Sequence, residues 1–375
     1  MVGGHTKAAS YRSFLRNVEE WGEEEAVKIA RLEYANIKAT HELAKELGIE
    51  CDANGCDTVD VMFDQEEFEE GKMAIERLRR ALGEDAMAAR YTIYEEEEAR
   101  TRFLAPDARG AFVYEAGSIH AYKFTIGILK RALKLGLNLQ TGTPAISIAR
   151  LEGDDRGCKW RVETPRGEVR TQNLILATNG YTPHLLPKLL GKIVPLRGQV
   201  NAQHPGPSLP RLPTTYSFIY RDGYEYMIQS PTSHSIIIGG GLGRLNEANP
   251  DIYLQEFGQT NDGEINPWIS TYLKNSAAGY FGRNWGEDKD NERVQREWTG
   301  IMGTSADGLP LVGAVPGEEG LWLSFACNGH GMVLCLKCAE ALTDMLMGET
   351  AYKEWFPEAF RITEERLQKE YTGRI

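Results

Sequence analysis

No apolar run in this 375-residue sequence approaches the length of a membrane span, and no apolar signal segment follows Met1. Cysteine is scarce. Six in a chain this long do not make a disulfide framework, so a reducing compartment, the cytoplasm, is expected. The C-terminal Gly373-Arg374-Ile375 resembles the Ser-Lys-Leu peroxisomal address only faintly. Basic residues are outnumbered. A net charge of −12 argues against a nucleic-acid surface, which needs clustered Lys and Arg. The HExxH, GxSxG and P-loop motifs are missing, and so are repeats and low-complexity segments. Cys51 and Cys56 have no second pair at zinc-ligand spacing, so no metal is expected.

What remains is a soluble globular composition of a length that suits two domains. In "WGEEEAVKIARLEYANIKATHELAKELG", Ala30, Tyr34, Ile37, His41 and Ala44 form one helical stripe, with Gly48 as the stop. The acidic run at residues 23–25 suits the positive end of the helix dipole, and His41 reads as a packed or half-buried side chain. "DTVDVMFD" alternates Val59, Val61 and Phe63, which predicts a half-buried strand. Asp64 with Glu67 predicts a helix start, and Gly83 its end. "SIHAYKFTIGILKRALKLG" reads as a helix capped by Ser118 and closed by Gly136, with a strand following in "NLQTGTPAISIAR". Two short strands flank Pro165-Arg166-Gly167. The unbroken apolar run at residues 174–177 predicts a strand covered on both faces. Residues 196–300 are rich in short β patterns, with a hairpin turn at Arg221-Asp222-Gly223. Parallel-sheet units early and at the very end, around an antiparallel block, predict two interleaved domains, one α/β and one mostly antiparallel.

Four stretches could carry chemistry. "ACNGHGMVLC" (326–335) runs from a strand through glycines into a helix start, which suits an anion or an electron-rich carbonyl such as the O2 edge of a flavin. A plain tight turn explains it equally. "ILATNGYTP" ends a second buried strand in small residues, where α/β sheets bind ligands, and gains force from the first stretch. "IIIGGGLG" fails the dinucleotide fingerprint because it continues an antiparallel block, and reads as a strand end needing close backbone packing. "CLKC" (335–338) has redox spacing but falls inside a helix, where packing explains it.

Taken together, "VGGHTK", "YEAGSIHAYKFTIGILKRALKLGLNLQTGTPAISI", "LILATNGYTPHLLPKLLGKIVPLRGQV", "EWTGIMGTSADGLPLVG" and "LWLSFACNGHGMVLC" resemble the FAD-dependent oxidoreductases of the D-amino-acid-oxidase-like group. That group includes glycine oxidase, sarcosine oxidase and γ-glutamylputrescine oxidoreductase. The resemblance implies an FAD/NAD(P)-binding Rossmann-like domain interleaved with an antiparallel-sheet substrate domain. Residues 1–50, 118–195 and 296–350 would bind FAD. Residues 51–117 and 196–295 would form the substrate domain, and 351–375 a helical tail. Gly329, His330, Gly331 and Met332 would face the flavin pyrimidine edge. Ala145 and Ile146 would lie by the adenine, and Ala177, Thr178 and Gly180 along the phosphate and ribityl region. Gly3, Gly4 and His5 match the loop beside the isoalloxazine. Tyr226 and the strand of Arg197 would face the ring, which makes Tyr226, His330 and Arg197 the candidate catalytic residues. The family oxidises a C–N bond by hydride transfer to flavin, so the implied partner is a small-molecule amine.

Departures from the family sharpen this. Met302 stands where amino-acid oxidases of the group carry a carboxylate-binding Arg, and Val333 where sarcosine oxidase carries a Lys of the same role. An unpaired carboxylate is costly to bury, so an amine, or one whose carboxylate is remote, is expected over a simple α-amino acid. Ile237 replaces the oxygen-activating Lys. Gly300 lies near the position of the flavin-linking Cys, so FAD would be non-covalent. The strand–GxGxxG–helix unit of the family is not found before Gly3-Gly4, and Met1-Val2 occupy the place of its Arg-Asn. An N-terminally truncated member with weak or no FAD affinity is therefore the alternative expectation.

Overall fold

The structure is a computed structural model that describes residues 3–154 and 156–373. Met1-Val2 and Arg374-Ile375 lie outside the described residues. Fifteen strands are described. They are β1 (His5–Thr6), β2 (Asn54–Met62), β3 (Tyr91–Glu95), β4 (Gly110–Ser118), β5 (Ser147–Arg150), β6 (Trp160–Thr164), β7 (Gly167–Thr171) and β8 (Leu174–Leu176). Then follow β9 (Ile193–Gln203), β10 (Thr215–Tyr220), β11 (Gly223–Gln229), β12 (Ile236–Gly239), β13 (Val294–Ser305), β14 (Leu311–Ala314) and β15 (Leu321–Phe325). The chain divides into two compact units. One comprises residues 1–128, 197–256 and 261–300; the other 129–196, 257–260 and 301–375. Residues up to 50 and the stretch 118–128, expected with the FAD-binding part, thus pack in the unit that holds the large sheet.

In the first unit the sheet runs β1-β4-β2-β10-β11-β12-β9-β13, with β3 also on β4. β4 pairs antiparallel with β1, β2 and β3, and of these early strands β2 alone has a parallel neighbour, β10, among the described residues, so the early region is not a parallel-sheet unit. The hairpin turn after Tyr220 forms as predicted. Alternation splits the strand residues between two cores. Val59, Val61, Phe218, Met227 and Ile238 pack with the helix Pro267–Phe281. Met62, Phe112 and Ile219 pack beneath the helices Tyr11–Trp21, Glu23–Glu46 and Gln65–Leu82. The second of these helices buries Ala30, Ile37 and Ala44 of the predicted stripe. His41 is half-buried and meets the Thr6 hydroxyl at 2.9 Å. Asp64 caps the third helix by accepting from the Glu66 and Glu67 amides, and Gly83 ends it. Ser118 does not cap a helix. It closes β4, and the helix that follows is Ala121–Lys134.

The expected solvent face of β2 is a correction. Its residues from Thr58 to Met62 are all buried, so the second half of the strand is covered on both faces, while Asn54, Gly55 and Asp57 are exposed. The polar residues of the alternation are matched from neighbouring elements rather than by water. Asp60 is 0% exposed and accepts from Lys7 Nζ (2.5 Å), Tyr11 OH (2.9 Å) and Tyr114 OH (2.8 Å). Lys7 Nζ also donates to Ser217 Oγ at 2.6 Å. Burial pulls the Lys7 ammonium down and Asp60 holds it up. Buried charge of this kind survives only when paired and hydrogen-bonded. A second buried carboxyl, Glu33, meets the Ser10 hydroxyl, and burial lifts it from 4.5 to about 7.

The second unit holds two three-stranded sheets, β14-β15-β8 and β5-β6-β7. β15 and β8 are parallel. Trp160, Leu176, Leu189, Leu321, Leu323 and Phe325 form its core. The strand at residues 174–176 is an end strand of its sheet, and Ile175 is 46% exposed. The expectation of cover on both faces is thus not met. The helix Ala121–Lys134 likewise buries none of its side chains. The tail is fastened by Arg366, whose Nε and Nη2 donate to the two Asp307 carboxylate oxygens at 2.8 and 2.9 Å.

Two outcomes test these matched burials. Lys7→Met leaves Asp60 charged with fewer donors and should cost about 3–5 kcal/mol in urea unfolding, with Lys7→Met/Asp60→Asn recovering most of it. An unchanged midpoint for the single variant would refute the assignment. For Glu33 the folded chain holds the proton more tightly than the unfolded one. Its contribution to stability is complete below 4.5 and is lost as pH rises through about 7. Glu33→Gln should therefore stabilise the chain near pH ~8, by at most roughly 3 kcal/mol, and the gain should fade toward pH ~4.5. A gain independent of pH would contradict this.

Candidate functional site

β8 and β15 run parallel in register, Leu174 beside Leu321 and Leu176 beside Leu323. Their carboxyl ends therefore leave the sheet together, where ligands bind in α/β folds. Each is followed by the same short pattern, Ala-Thr-Asn-Gly at residues 177–180 and Ala-Cys-Asn-Gly at residues 326–329. Asn179 and Asn328 both take left-handed backbone, φ 47° and 49°. Asparagine tolerates that region better than other side-chain-bearing residues. Ala326 takes it too, at φ 59°, which marks a strained turn held by its surroundings.

Those surroundings are the two asparagine side chains. Asn179 Oδ1 accepts from the Ala326 amide at 3.1 Å, which ties the first turn to the second. Asn328 Oδ1 accepts from the Ser305 amide at 2.8 Å, and Asn328 Nδ2 donates to the Ala326 carbonyl at 2.6 Å. The Asn328 amide donates to the Gly303 carbonyl at 3.1 Å. A Cβ on Gly180 would stand 2.5 Å from the Met302 carbonyl oxygen, so that glycine is required by packing. Thr178 Oγ1 lies 2.9 Å from Thr182 Oγ1. Gly329 and His330 are exposed at the rim, and Gly331 and Met332 are half-buried. His330 Nδ1 lies 3.2 Å from the Asn328 carbonyl. The helix does not begin at this turn as expected. A single 3₁₀ turn covers Gly331–Val333, and the α-helix is Cys335–Met347. Cys335 therefore opens the helix rather than lying inside it.

Ala145 and Ile146 lie elsewhere in this unit, ahead of β5. Ala145 packs on the core, while Ile146 is exposed and donates its amide to the Glu163 carbonyl at 2.8 Å.

The first unit holds the remaining candidates. Gly4 has φ 85°, and a Cβ there would stand 2.1 Å from the Ile119 carbonyl oxygen. A Cβ on Gly3 would meet the Tyr226 ring at 2.5 Å, and one on Gly239 the Tyr226 hydroxyl at 2.4 Å. Both glycines thus make room for that tyrosine, and "IIIGGGLG" is the close-packed strand end that was expected. Burial, with Tyr224 beside it, raises the Tyr226 phenol and keeps it protonated. His5 belongs to β1, where Nε2 lies 2.8 Å from Thr215 Oγ1 and 3.2 Å from Thr58 Oγ1. Burial, then the Lys7 charge, holds its imidazole well below the ordinary value, so it is neutral. The Arg197 guanidinium is committed to Glu256, Nε to Oε2 at 2.7 Å and Nη2 to Oε1 at 2.9 Å. Glu256 also accepts from Asn266 Nδ2 at 2.7 Å. Asn266 in turn caps the helix Pro267–Phe281.

Sequence reasoning passed over Asn179 and Asn328, although the repeated Asn-Gly after an apolar strand was a usable signal. It also passed over Lys7 and Asp60. The residues present fit the edge of a flavin ring. Two strand ends meet, the backbone is held in left-handed conformations, and Gly329 and Gly331 carry no side chain between that backbone and an approaching planar group.

Residues 3–345 match the family model for FAD dependent oxidoreductases. The glycine oxidase of Pseudomonas aeruginosa is 28% identical over 194 residues, covering 50% of this chain and 45% of that protein. The tRNA 5-methylaminomethyl-2-thiouridine biosynthesis bifunctional protein MnmC of Shewanella amazonensis is 25% identical over 228 residues, covering 61% of this chain and 31% of that protein. The chain thus spans less than half the length of these curated relatives. Among solved structures, glycine oxidase from Geobacillus kaustophilus superposes with a TM-score of 0.74 at 17% identity, covering 97% of this chain and 87% of that one. L-proline dehydrogenase from P. horikoshii gives 0.66 at 17% identity, covering 88% and 82%. At such identities the likeness establishes the fold. No helix among the described residues is long and apolar enough to cross a membrane.

One substitution probes the turn. Asn179→Ala removes the acceptor for the Ala326 amide and places alanine at a left-handed φ. It should cost about 2 kcal/mol, more than Asn179→Gly, which keeps the φ. Equal thermal midpoints for Asn179→Ala and the unaltered chain would contradict the role given to the side chain.

Proposed function

The chain belongs to the FAD dependent oxidoreductase family, and from that premise we propose that it oxidises the C–N bond of an amine or amino-acid-like substrate. The observation that carries the reading is the meeting of the two Asn-Gly turns at the carboxyl ends of β8 and β15. Non-covalent FAD, when bound, supplies the acceptor for the hydride leaving the substrate carbon, and the imine product hydrolyses in water. The chain's own residues bind and orient. The Gly329–Met332 turn would hold the ring edge by its backbone, with Asn328 and Asn179 fixing that backbone. Tyr226, kept protonated by burial, would direct a phenol hydroxyl at the substrate. Arg197 acts as a positioning residue through Glu256 and Asn266 rather than as a substrate ligand.

This arrangement favours an amine over a simple α-amino acid. Met302 and Val333 are uncharged where the family resemblance implies cations, and the Arg197 guanidinium already answers a buried carboxylate. A substrate carboxylate would lose its water at those positions without gaining an ion pair. The open edge of β8, with Ile175 half exposed, favours a second reading that concerns affinity. This chain alone would hold FAD weakly.

One experiment addresses both. FAD is titrated into the purified chain, and the saturated mixture then receives primary and secondary amines without oxygen. We expect a weak Kd, amine-dependent bleaching of the visible flavin band, and slower bleaching by glycine than by an amine lacking a carboxylate. A sub-micromolar Kd overturns the affinity reading. Absence of bleaching by every amine at saturating FAD overturns the function.

A further inference from the structure

Cys327 follows Ala326 in the turn after β15, and Cys335 opens the helix Cys335–Met347. Neither has a role in the reading above. Both are free thiols, and their Sγ atoms lie 3.7 Å apart. Cys335 is exposed and Cys327 half-buried, whereas Cys338, one helical turn on, is buried. The "CLKC" spacing is thus misleading. The sulfur that meets Cys335 is the one eight residues before it.

We propose that Cys327 and Cys335 form a peroxide-responsive dithiol, closing to an intramolecular disulfide that rings the residues from Asn328 to Leu334. Cys335 is the more exposed of the two, which makes it the nucleophile, and the hydrogen bond with Cys327 lowers its thiol while raising that of Cys327. Its place at a helix start works in the same direction. Gly331 leaves the room needed. A Cβ there would stand 3.1 Å from Cys335 Sγ and 3.8 Å from the Cys327 Cβ. A disulfide needs about 2.05 Å between sulfurs, so the two must close by roughly 1.7 Å, which side-chain rotation and a small shift of the turn supply.

The chemistry balances with a hydroperoxide as oxidant. The Cys335 sulfur attacks one peroxide oxygen. The S–O bond forms, the O–O bond breaks, and the leaving oxygen takes up the thiol proton; with hydrogen peroxide it leaves as water. The Cys327 sulfur then attacks the resulting sulfenic sulfur. The S–S bond forms, the S–O bond breaks, and the departing hydroxide takes the Cys327 proton as a second water. Two thiols are oxidised and one peroxide is reduced. The ring so closed contains Gly329, His330, Gly331 and Met332, and oxidation would pin that turn to the start of the helix.

The test needs no flavin, so its failure is distinct from failure of the proposed function. The reduced full chain is treated with a small excess of hydrogen peroxide, quenched and analysed without reductant. Two of the six thiols should disappear, with a mass loss of about 2 Da that dithiothreitol reverses. A peptide map should join Cys327 to Cys335. Cys335→Ser should abolish the loss, Cys327→Ser should leave a dimedone-reactive sulfenic acid at Cys335, and Cys158→Ser should behave like the unaltered chain. A bond through Cys338, a bond between two chains, an unchanged thiol count, or a Cys335→Ser variant that still closes would each overturn the proposal.

Discussion

The first unit depends on one buried carboxylate. Asp60 lies inside the nine-stranded sheet, and its donors come from three other places in the chain. Lys7 follows β1, Tyr11 opens the first helix, Tyr114 sits in β4, and Ser217 of β10 shares the Lys7 ammonium. An ion in the interior is tolerated only when its lone pairs are met. The requirement therefore fixes where the N-terminal segment must run. The left-handed Gly4 and the close-packed Gly3 follow from it, because the segment must pass Ile119 and the Tyr226 ring to bring Lys7 to Asp60. Glycines that look like a cofactor loop in the sequence answer first to packing.

In the second unit a polar side chain again organises backbone, but here it stabilises strain instead of charge. The turn after β15 has left-handed residues at Ala326, Asn328 and Gly329. Such a turn persists only where its neighbours over-determine it. The Asn179 and Asn328 carboxamides do this by capping the Ala326 and Ser305 amides. Because Asn179 sits at the end of the adjacent parallel strand, the two strand ends are held as one surface. Preorganised backbone of this kind suits a planar ligand edge, since little ordering is left to be done on binding.

Much of this was legible from residue patterns, and the failures share a cause. Helical stripes and caps were readable because they are local. Asp64 and Gly83 bound their helix, and Ala30, Ile37 and Ala44 face inward as their spacing demands. The alternation in β2 predicts a half-buried strand, but Thr58 and Asp60 are buried too, because their partners arrive from 49 or more residues away. The run at residues 174–177 predicts cover on both faces, yet Ile175 is 46% exposed, since apolar character does not reveal what packs on a strand. The helix start at Cys335 was missed because a 3₁₀ turn intervenes. Arg197 could be placed on its strand, but nothing local shows that Glu256 consumes it. Local chemistry is written in adjacent residues. Which polar groups satisfy one another across the fold is not.

The same accounting bears on what the chain can bind. Its buried carboxylates fall into two kinds. Asp60, Glu256 and Asp307 each meet a cation, from Lys7, Arg197 and Arg366, and Asp307 is held below its ordinary value by that contact even against burial. Glu33 and Glu225 meet hydroxyls instead, from Ser10 in one case and from Tyr220 and Tyr280 in the other, and burial raises both. The difference follows from what hydroxyls can do. They orient a carboxyl group but do not cancel its charge, so desolvation wins and the neutral form gains. An anionic ligand faces the same rule. In an interior whose buried cations already answer the chain's own carboxylates, a ligand carboxylate would have to bring or displace a partner, whereas an amine entering as the free base needs only hydrogen bonds. The pattern of pairing, more than any single residue, is what supports the proposed preference for amines.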